Sequence, residues 1–337
     1  NVGSGAILMD INSGDILSLV SLPDYDLNRR VSITDNIYTN KITLGVYELG
    51  SVFKTFTVAA GLENNVIESN TILKNLERSL TCDKYTISEH DKLPKNLSVE
   101  QILVRSSNIG AVRIAQKVGV EKYKNFLNKL GLLDTINFEL EEVGDPLPFK
   151  WGKCKLATAS YGHGITTTPL QLAKAYAILG NGGYNVNPSI SQKKNKSIKK
   201  NKRIVSQKTS DLINLMLRKV VSLNEGTANF ADINGYDVAG KTGTALKYNS
   251  KAKLNTFVSL FPASKPKYVL LVMLDEPQPA PNFVYQFPPS EKFPNGYKYK
   301  GETRNTSGWN TVVVAGKIIE RIGPILAINN LEVNNNF

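Results

Sequence analysis

Three short clusters hold the side chains that could do covalent chemistry in this 337-residue chain. In Ser51-Val-Phe-Lys54 a hydroxyl and an amine stand three residues apart. On a helix they would share a face, and a partly desolvated amine there could take the serine's proton. Ser191, Ser197, Ser250 and Ser264 begin the same Ser-x-x-Lys spacing, but in Lys-rich polar stretches, whereas Ser51 follows Gly50 and opens an apolar run. At a helix start the free backbone N–H groups also stabilise negative charge. The competing reading is a surface Ser and Lys on an ordinary helix.

The second cluster is Ser106-Ser107-Asn108, a hydroxyl two residues from an amide in a polar turn. It could supply a proton relay and a hydrogen-bonding arm on one cleft. Ser222-Leu-Asn224 has the same spacing, and an N-cap for a helix beginning at Ile109 is the alternative. The third is Lys241-Thr242-Gly243-Thr244. Its upstream residues, Gly235-Tyr-Asp-Val-Ala-Gly240-Lys241-Thr242, match the nucleotide-binding P-loop pattern letter for letter. A P-loop needs a buried strand before the glycines and a helix starting at the Lys-Thr. Here 230–234 is no apolar strand, and Gly243 followed by polar 247–253 is no amphipathic helix. Read instead as an edge strand, Lys241 and Gly243 share one face and Thr242 and Thr244 the other. Such a strand can hold an extended peptide by main-chain pairing, with hydroxyls and a Lys to bind a carboxylate.

These clusters need elements to position them. Two apolar runs, 5–10 and 15–21, flank an Asn-Ser-Gly turn and predict a β-hairpin. Apolar residues recur at helical spacing over 51–64. Ser98-Val-Glu-Gln101 is a capping-box signature, and helical pattern follows in 109–118, 122–132, 169–179 and 209–221. Strands are expected at 238–245, 255–261 and 267–274 and a last helix over 312–322. Six of the fifteen prolines fall in 277–294, which predicts a long loop without regular structure. The expected fold class is α+β: an antiparallel sheet from the N- and C-terminal segments, flanked by helices, with a mostly helical middle. One domain is expected over 1–337, its sheet lobe from about 1–60 and 235–325, its helical lobe from about 61–234.

Composition narrows the function classes. With 41% hydrophobic residues the chain is globular, and its longest apolar run, 268–274, is far short of the roughly 18 residues a membrane span needs. Of the net charge of +12, seven charges lie in 192–203, among Asn, Ser and Gln with no aromatic to stack a base. A solvated loop is expected there, not a nucleic-acid site. Cys82 and Cys154, with His90 and His163 scattered, give no metal-ligand spacing and no redox pair, so no metal is assigned and the thiols are expected free.

Ser-x-x-Lys at a helix start, Ser-x-Asn in an interhelical turn and Lys-Thr-Gly on a late strand, in that order, form the motif trio of serine β-lactamases and penicillin-binding proteins. The chain resembles the transpeptidase domain of a division-type, monofunctional (class B) penicillin-binding protein. The likeness extends through Tyr47-Glu-Leu-Gly-Ser-Val-Phe-Lys54, Gly162-His-Gly-Ile-Thr-Thr-Thr-Pro-Leu-Gln-Leu-Ala173, Val238-Ala-Gly-Lys-Thr-Gly-Thr-Ala245 and 309–324. Leu49 stands where the family usually has Pro.

The resemblance implies a D,D-transpeptidase that cross-links peptidoglycan stem peptides ending in D-Ala-D-Ala and is acylated by β-lactam antibiotics, with no cofactor. It makes Ser51 the nucleophile, Lys54 the general base and Ser106 the proton carrier to the leaving amine. Lys241 would give electrostatic support. Asn108, Thr242, Gly243 and Thr244 would bind substrate, and the N–H groups of Ser51 and Thr244 would form the oxyanion hole. It implies septal cell-wall synthesis on the periplasmic face of the inner membrane, anchoring by an N-terminal segment outside this chain, and partnership with a glycan polymerase and other division proteins. A serine β-lactamase and a D,D-carboxypeptidase are the neighbouring alternatives, although no Glu-x-x-Leu-Asn stretch lies between Asn108 and Lys241. His163 is expected to pack structurally, since no Gly-x-Ser-x-Gly elbow exists to give it a serine partner.

Overall fold

The computed structural model describes residues 2–334 apart from 27, 30, 31, 33–35, 84, 192–200, 249, 288–293 and 302–303. Most of the basic stretch, and Pro288 and Pro289, lie outside the described residues. The chain opens with the expected hairpin, β1 (Gly3–Asp10) and β2 (Ile16–Leu22). A 3-10 turn, Gly50–Phe53, leads into α1 (Lys54–Glu63), so Ser51 lies in a tight turn and not on the α-helix itself. Every residue of α1 from Lys54 to Leu62 is buried. A helix buried on all sides has no polar face to show in its periodicity.

Four short strands follow, β3 (Ile72–Leu73), β4 (Ser79–Cys82), β5 (Tyr85–Ser88) and β6 (Leu97–Ser98), pairing β3 with β6 and β4 with β5. The middle is then helical: α2 (Val99–Val104), α3 (Asn108–Val118), α4 (Val120–Lys129), α5 (Lys153–Ala159), α6 (Pro169–Gly180) and α7 (Gln207–Ser222). Ser98 and Gln101 make the capping box at α2, and Thr168 with Gln171 makes a second at α6.

Sheet returns with β7 (Ala239–Leu246), β8 (Lys253–Phe261) and β9 (Tyr268–Asp275). These join the first hairpin in one antiparallel sheet of order β2-β1-β9-β8-β7. The α+β expectation, with the sheet built from both ends of the chain, is borne out. Strand β9 is buried at all but one of its residues because α6 and α8 (Thr311–Asn334) both pack on it, which is why 268–274 reads as an apolar run and not as an alternation.

Two expectations are corrected. The prolines do not exclude regular structure from 277–294: β10 (Ala280–Phe287) pairs with β11 (Tyr297–Gly301). Pro281 is tolerated because it falls in the register irregularity between Ala280 and Val284 of a two-stranded ribbon, where no ladder bond is asked of its nitrogen. The thiols are not free: Cys82 at the end of β4 is disulfide-bonded to Cys154 in α5, across 72 residues of sequence. Two cysteines this far apart carry no local signal of pairing, which the fold alone decides.

Candidate active site

Gly50 has φ +65°, and a Cβ there would lie 2.9 Å from the Thr244 carbonyl oxygen. Only glycine gives both the left-handed backbone and the close approach. Gly243 is the reciprocal case, since a Cβ on it would come within 2.3 Å of the Leu49 carbonyl oxygen. Together they let edge strand β7 lie directly against the turn that carries Ser51, which is half-buried. The Tyr176 hydroxyl donates to the Val52 carbonyl at 2.9 Å and pins that turn from α6.

Lys54 is fully buried at the start of α1. Its Nζ donates to the Ser106 carbonyl at 2.5 Å and to Ser106 Oγ at 3.1 Å. From the opposite side Lys241 Nζ, also fully buried, donates to the same Ser106 Oγ at 2.9 Å and to the Thr242 carbonyl at 3.2 Å. One hydroxyl therefore sits between two amines that are 52 and 135 residues away in sequence. Burial pulls the Lys54 amine down to about 7, against a smaller upward pull from the Glu89 carboxylate. Burial, and then the charge of Lys54, hold Lys241 well below its ordinary value. Desolvation penalises each ammonium and mutual repulsion penalises having both, so the two share protons as a coupled pair.

Ser106 has φ +58°. Its N–H donates to the Leu103 carbonyl and the Ser107 N–H to the Ile102 carbonyl, which closes α2 with a Schellman motif. Glycine usually occupies that left-handed position. A serine there costs about 1–2 kcal/mol of backbone strain, and strain of this kind gathers where a side chain is needed. Ser107 is the N-cap of α3, accepting from the Gly110 N–H at 2.9 Å, so the capping expectation for this cluster holds for Ser107 while Ser106 faces the amines. Asn108 is buried in the first turn of α3. Its Nδ2 donates to the Ser88 carbonyl at 2.7 Å, and its Oδ1, buried, has no partner among the described residues. A buried acceptor without a donor is costly unless a ligand supplies one.

On β7, Thr242 Oγ1 is hydrogen-bonded to Thr227 Oγ1 at 2.7 Å. Thr244 Oγ1 accepts from the Ser307 N–H at 3.1 Å, which leaves its own proton to donate elsewhere. The structure thus brings Ser106, Lys54 and Lys241 into direct contact and lays Gly243 and Thr244 along the Ser51 turn. Thr227, Ser307, Ser88 and Glu89 also belong to this neighbourhood and were missed, because isolated polar residues in loops carry no spacing signal. Lys241 and Thr242 lie in mid-strand, not at a helix N-terminus, so the P-loop reading is excluded. His163 does not pack inside, as expected of it; it is exposed and its Nδ1 lies 3.1 Å from Glu48, whose hydrogen bond raises the imidazole's affinity for a proton.

Residues 4–286 match the family described as the penicillin binding protein transpeptidase domain. The chain belongs to this family. The resemblance read from the sequence is borne out. A probable peptidoglycan D,D-transpeptidase FtsI of Caulobacter vibrioides is 32% identical over 340 residues, covering 97% of this chain and 54% of that protein. The peptidoglycan D,D-transpeptidase FtsI of Escherichia coli is 28% identical over 287 residues, covering 81% and 47%. The chain spans about half the length of these curated relatives. Among solved structures, the transpeptidase domain of Burkholderia pseudomallei penicillin-binding protein 3 superposes with a TM-score of 0.72 at 28% identity, over 82% of this chain and 80% of that one.

Proposed function

We infer that this chain is the catalytic domain of a peptidoglycan D,D-transpeptidase acting through a serine acyl-enzyme. The observation that carries this is Ser106 Oγ held 3.1 and 2.9 Å from two buried, deprotonation-prone amines beside the Ser51 turn. In this reading Ser51 Oγ attacks the carbonyl of the penultimate D-Ala of a stem peptide, and its proton passes to neutral Lys54. The N–H groups of Ser51 and Thr244 hold the oxyanion, each such donor being worth about 3 kcal/mol of barrier. Collapse of the tetrahedral intermediate breaks the peptide bond, and Ser106, recharged by the lysines, gives the departing D-Ala amine its proton. An amine of a second stem peptide then takes the acyl group from Ser51. Thr242 and Thr244 bind the terminal carboxylate, aided by Lys241. Asn108 hydrogen-bonds the substrate backbone.

The relatives named FtsI support a role in septal wall synthesis; a glycan polymerase and other division proteins are the partners proposed for it. The Cys82–Cys154 disulfide supports a site of action outside the cytosol, where such bonds persist. None of the described helices is long and apolar enough to cross a membrane.

Intact mass followed over hours after mixing with a penicillin tests the reading. One lasting adduct is expected, absent from Ser51→Ala and retained in Ser191→Ala and Ser250→Ala. An adduct lost within seconds while drug is consumed would mean a β-lactamase instead, and labelling that survives Ser51→Ala would refute the nucleophile.

A further inference from the structure

The Ser106–Asn108 turn is strained, and something must hold it in place. It begins with left-handed Ser106 and ends at the first turn of α3, where helices leave backbone N–H groups without internal partners. A single carboxylate from outside the helical lobe's core meets those groups. Glu89 Oε1 accepts from Ser107 Oγ at 2.5 Å and from the Ile109 N–H at 3.0 Å, and Glu89 Oε2 accepts from the Asn108 N–H at 2.8 Å. The residue before it, Ser88, accepts from Asn108 Nδ2 through its carbonyl and so fixes which end of the amide remains unpaired. A negative charge at a helix N-terminus is favourable on its own account, and three convergent donors make the contact directional.

We propose that Glu89 is a positioning residue for the transpeptidation site: it clamps the Ser106–Asn108 turn so that Ser106 Oγ stays between the two lysines and the Asn108 amide keeps its orientation. The inference rests on the functional reading above. Delivery of the clamp is itself constrained. Glu89 directly follows β5, whose hairpin partner β4 ends at Cys82, and Cys82 is bonded to α5, which packs on α3. The hairpin is thereby tied to the helix its glutamate caps. On its other side Glu89 borders an open cavity of about 500 Å³ with Arg78 and Lys95 in the lining, so a side chain of similar shape fits there without displacing core residues.

The clamp also has an electrostatic signature that a purely mechanical brace would lack. Glu89, from the segment after β5, acts on the charge of Lys54, and that charge in turn acts on His90 from the same segment and on Lys241 from β7. Glu89 raises the affinity of Lys54 for its proton. Neutralising it moves Lys54 further down.

The experiment compares Glu89→Gln and Glu89→Asp with the wild-type chain, measuring the second-order rate of acylation by a fluorescent penicillin from pH 5 to 9. In parallel the Lys54 amine is titrated by the 13Cε shift of labelled lysine, assigned by its absence from Lys54→Met. Glu89→Gln presents an NH2 group to donors that need an acceptor; acylation is expected to fall about 10- to 100-fold, as for lost supporting hydrogen bonds elsewhere. Its Lys54 midpoint moves to lower pH. Glu89→Asp keeps the charge and restores the midpoint, while its shorter reach recovers the rate only in part. A folded Glu89→Gln with wild-type rate and midpoint overturns the proposal. If that variant does not fold, Glu89→Asp decides, and a wild-type rate from it has the same force. Because the lysine titration needs no drug, a wild type that fails to label would sink the functional reading while the shift in midpoint still reports on the clamp.

Discussion

Ser106 permits a sharp separation of chemistry from folding. Its φ of +58° places it at the left-handed position of a Schellman motif. Its hydroxyl accepts from Lys54 and Lys241. Ser106→Ala and Ser106→Gly remove that hydroxyl equally, so both should lose acylation by penicillin to the same low level, within the 10²- to 10⁴-fold typical of a lost proton-transfer group. Their stabilities should differ. Alanine retains the left-handed strain of about 1–2 kcal/mol, whereas glycine sheds it and gives back about 0.4–1 kcal/mol through the greater entropy of its unfolded chain. The glycine variant should therefore be the more stable by about 0.5–1 kcal/mol, a shift of roughly two- to fivefold in the folding equilibrium. Urea unfolding of the two variants at one pH reads that difference, and the lost hydroxyl cancels between them. A glycine variant no more stable than the alanine variant would refute the view that the serine is kept against the backbone's preference for the sake of its hydroxyl.

Two other measurements bear on the site and its support. With Lys54 brought down to about 7 by burial, the neutral base is a minority below pH 7 and the majority above it. Acylation should rise about tenfold between pH 6 and pH 8 and then level off; a rate already flat at pH 6, or still climbing towards pH 10, would contradict the buried base. The Cys82–Cys154 bond closes a loop of 72 residues, for which the chain-entropy account gives about 4.4 kcal/mol. Cys82→Ser with Cys154→Ser should lower stability in urea and slow penicillin acylation of the folded fraction, since the hairpin bearing Glu89 is then less constrained. Unchanged acylation of folded protein would uncouple the bond from the site.

Much of this protein was legible before any coordinates. The hairpin, the capping box at Ser98, the helices of the middle and the three late strands follow from periodicity and caps, which act over a few residues and are written locally. The apolar run of β9 and the glycine of Lys241-Thr242-Gly243 likewise announced a buried sheet and a close backbone approach. The 277–294 segment misled, because prolines forbid a paired nitrogen but not a ribbon with an irregular register. The role of Ser107 as the cap, leaving Ser106 to the lysines, could not be told from Ser-Ser-Asn alone.

The sequence by itself determined the types of group available, their order and the elements that bear them, since these depend on neighbours within a turn or two. The tertiary structure decided which groups meet and how they ionise. Lys54 is an ordinary lysine until α1 is enclosed on every side, for the proton affinity of an amine is set by the water and charge around it and not by its place in the chain. Ser106 is an ordinary serine until chain closure over 52 and 135 residues puts two such amines on its hydroxyl. Glu89 and the cysteine pair are silent in the sequence for the same reason: their partners are chosen by where the backbone returns, and no local pattern encodes that distance.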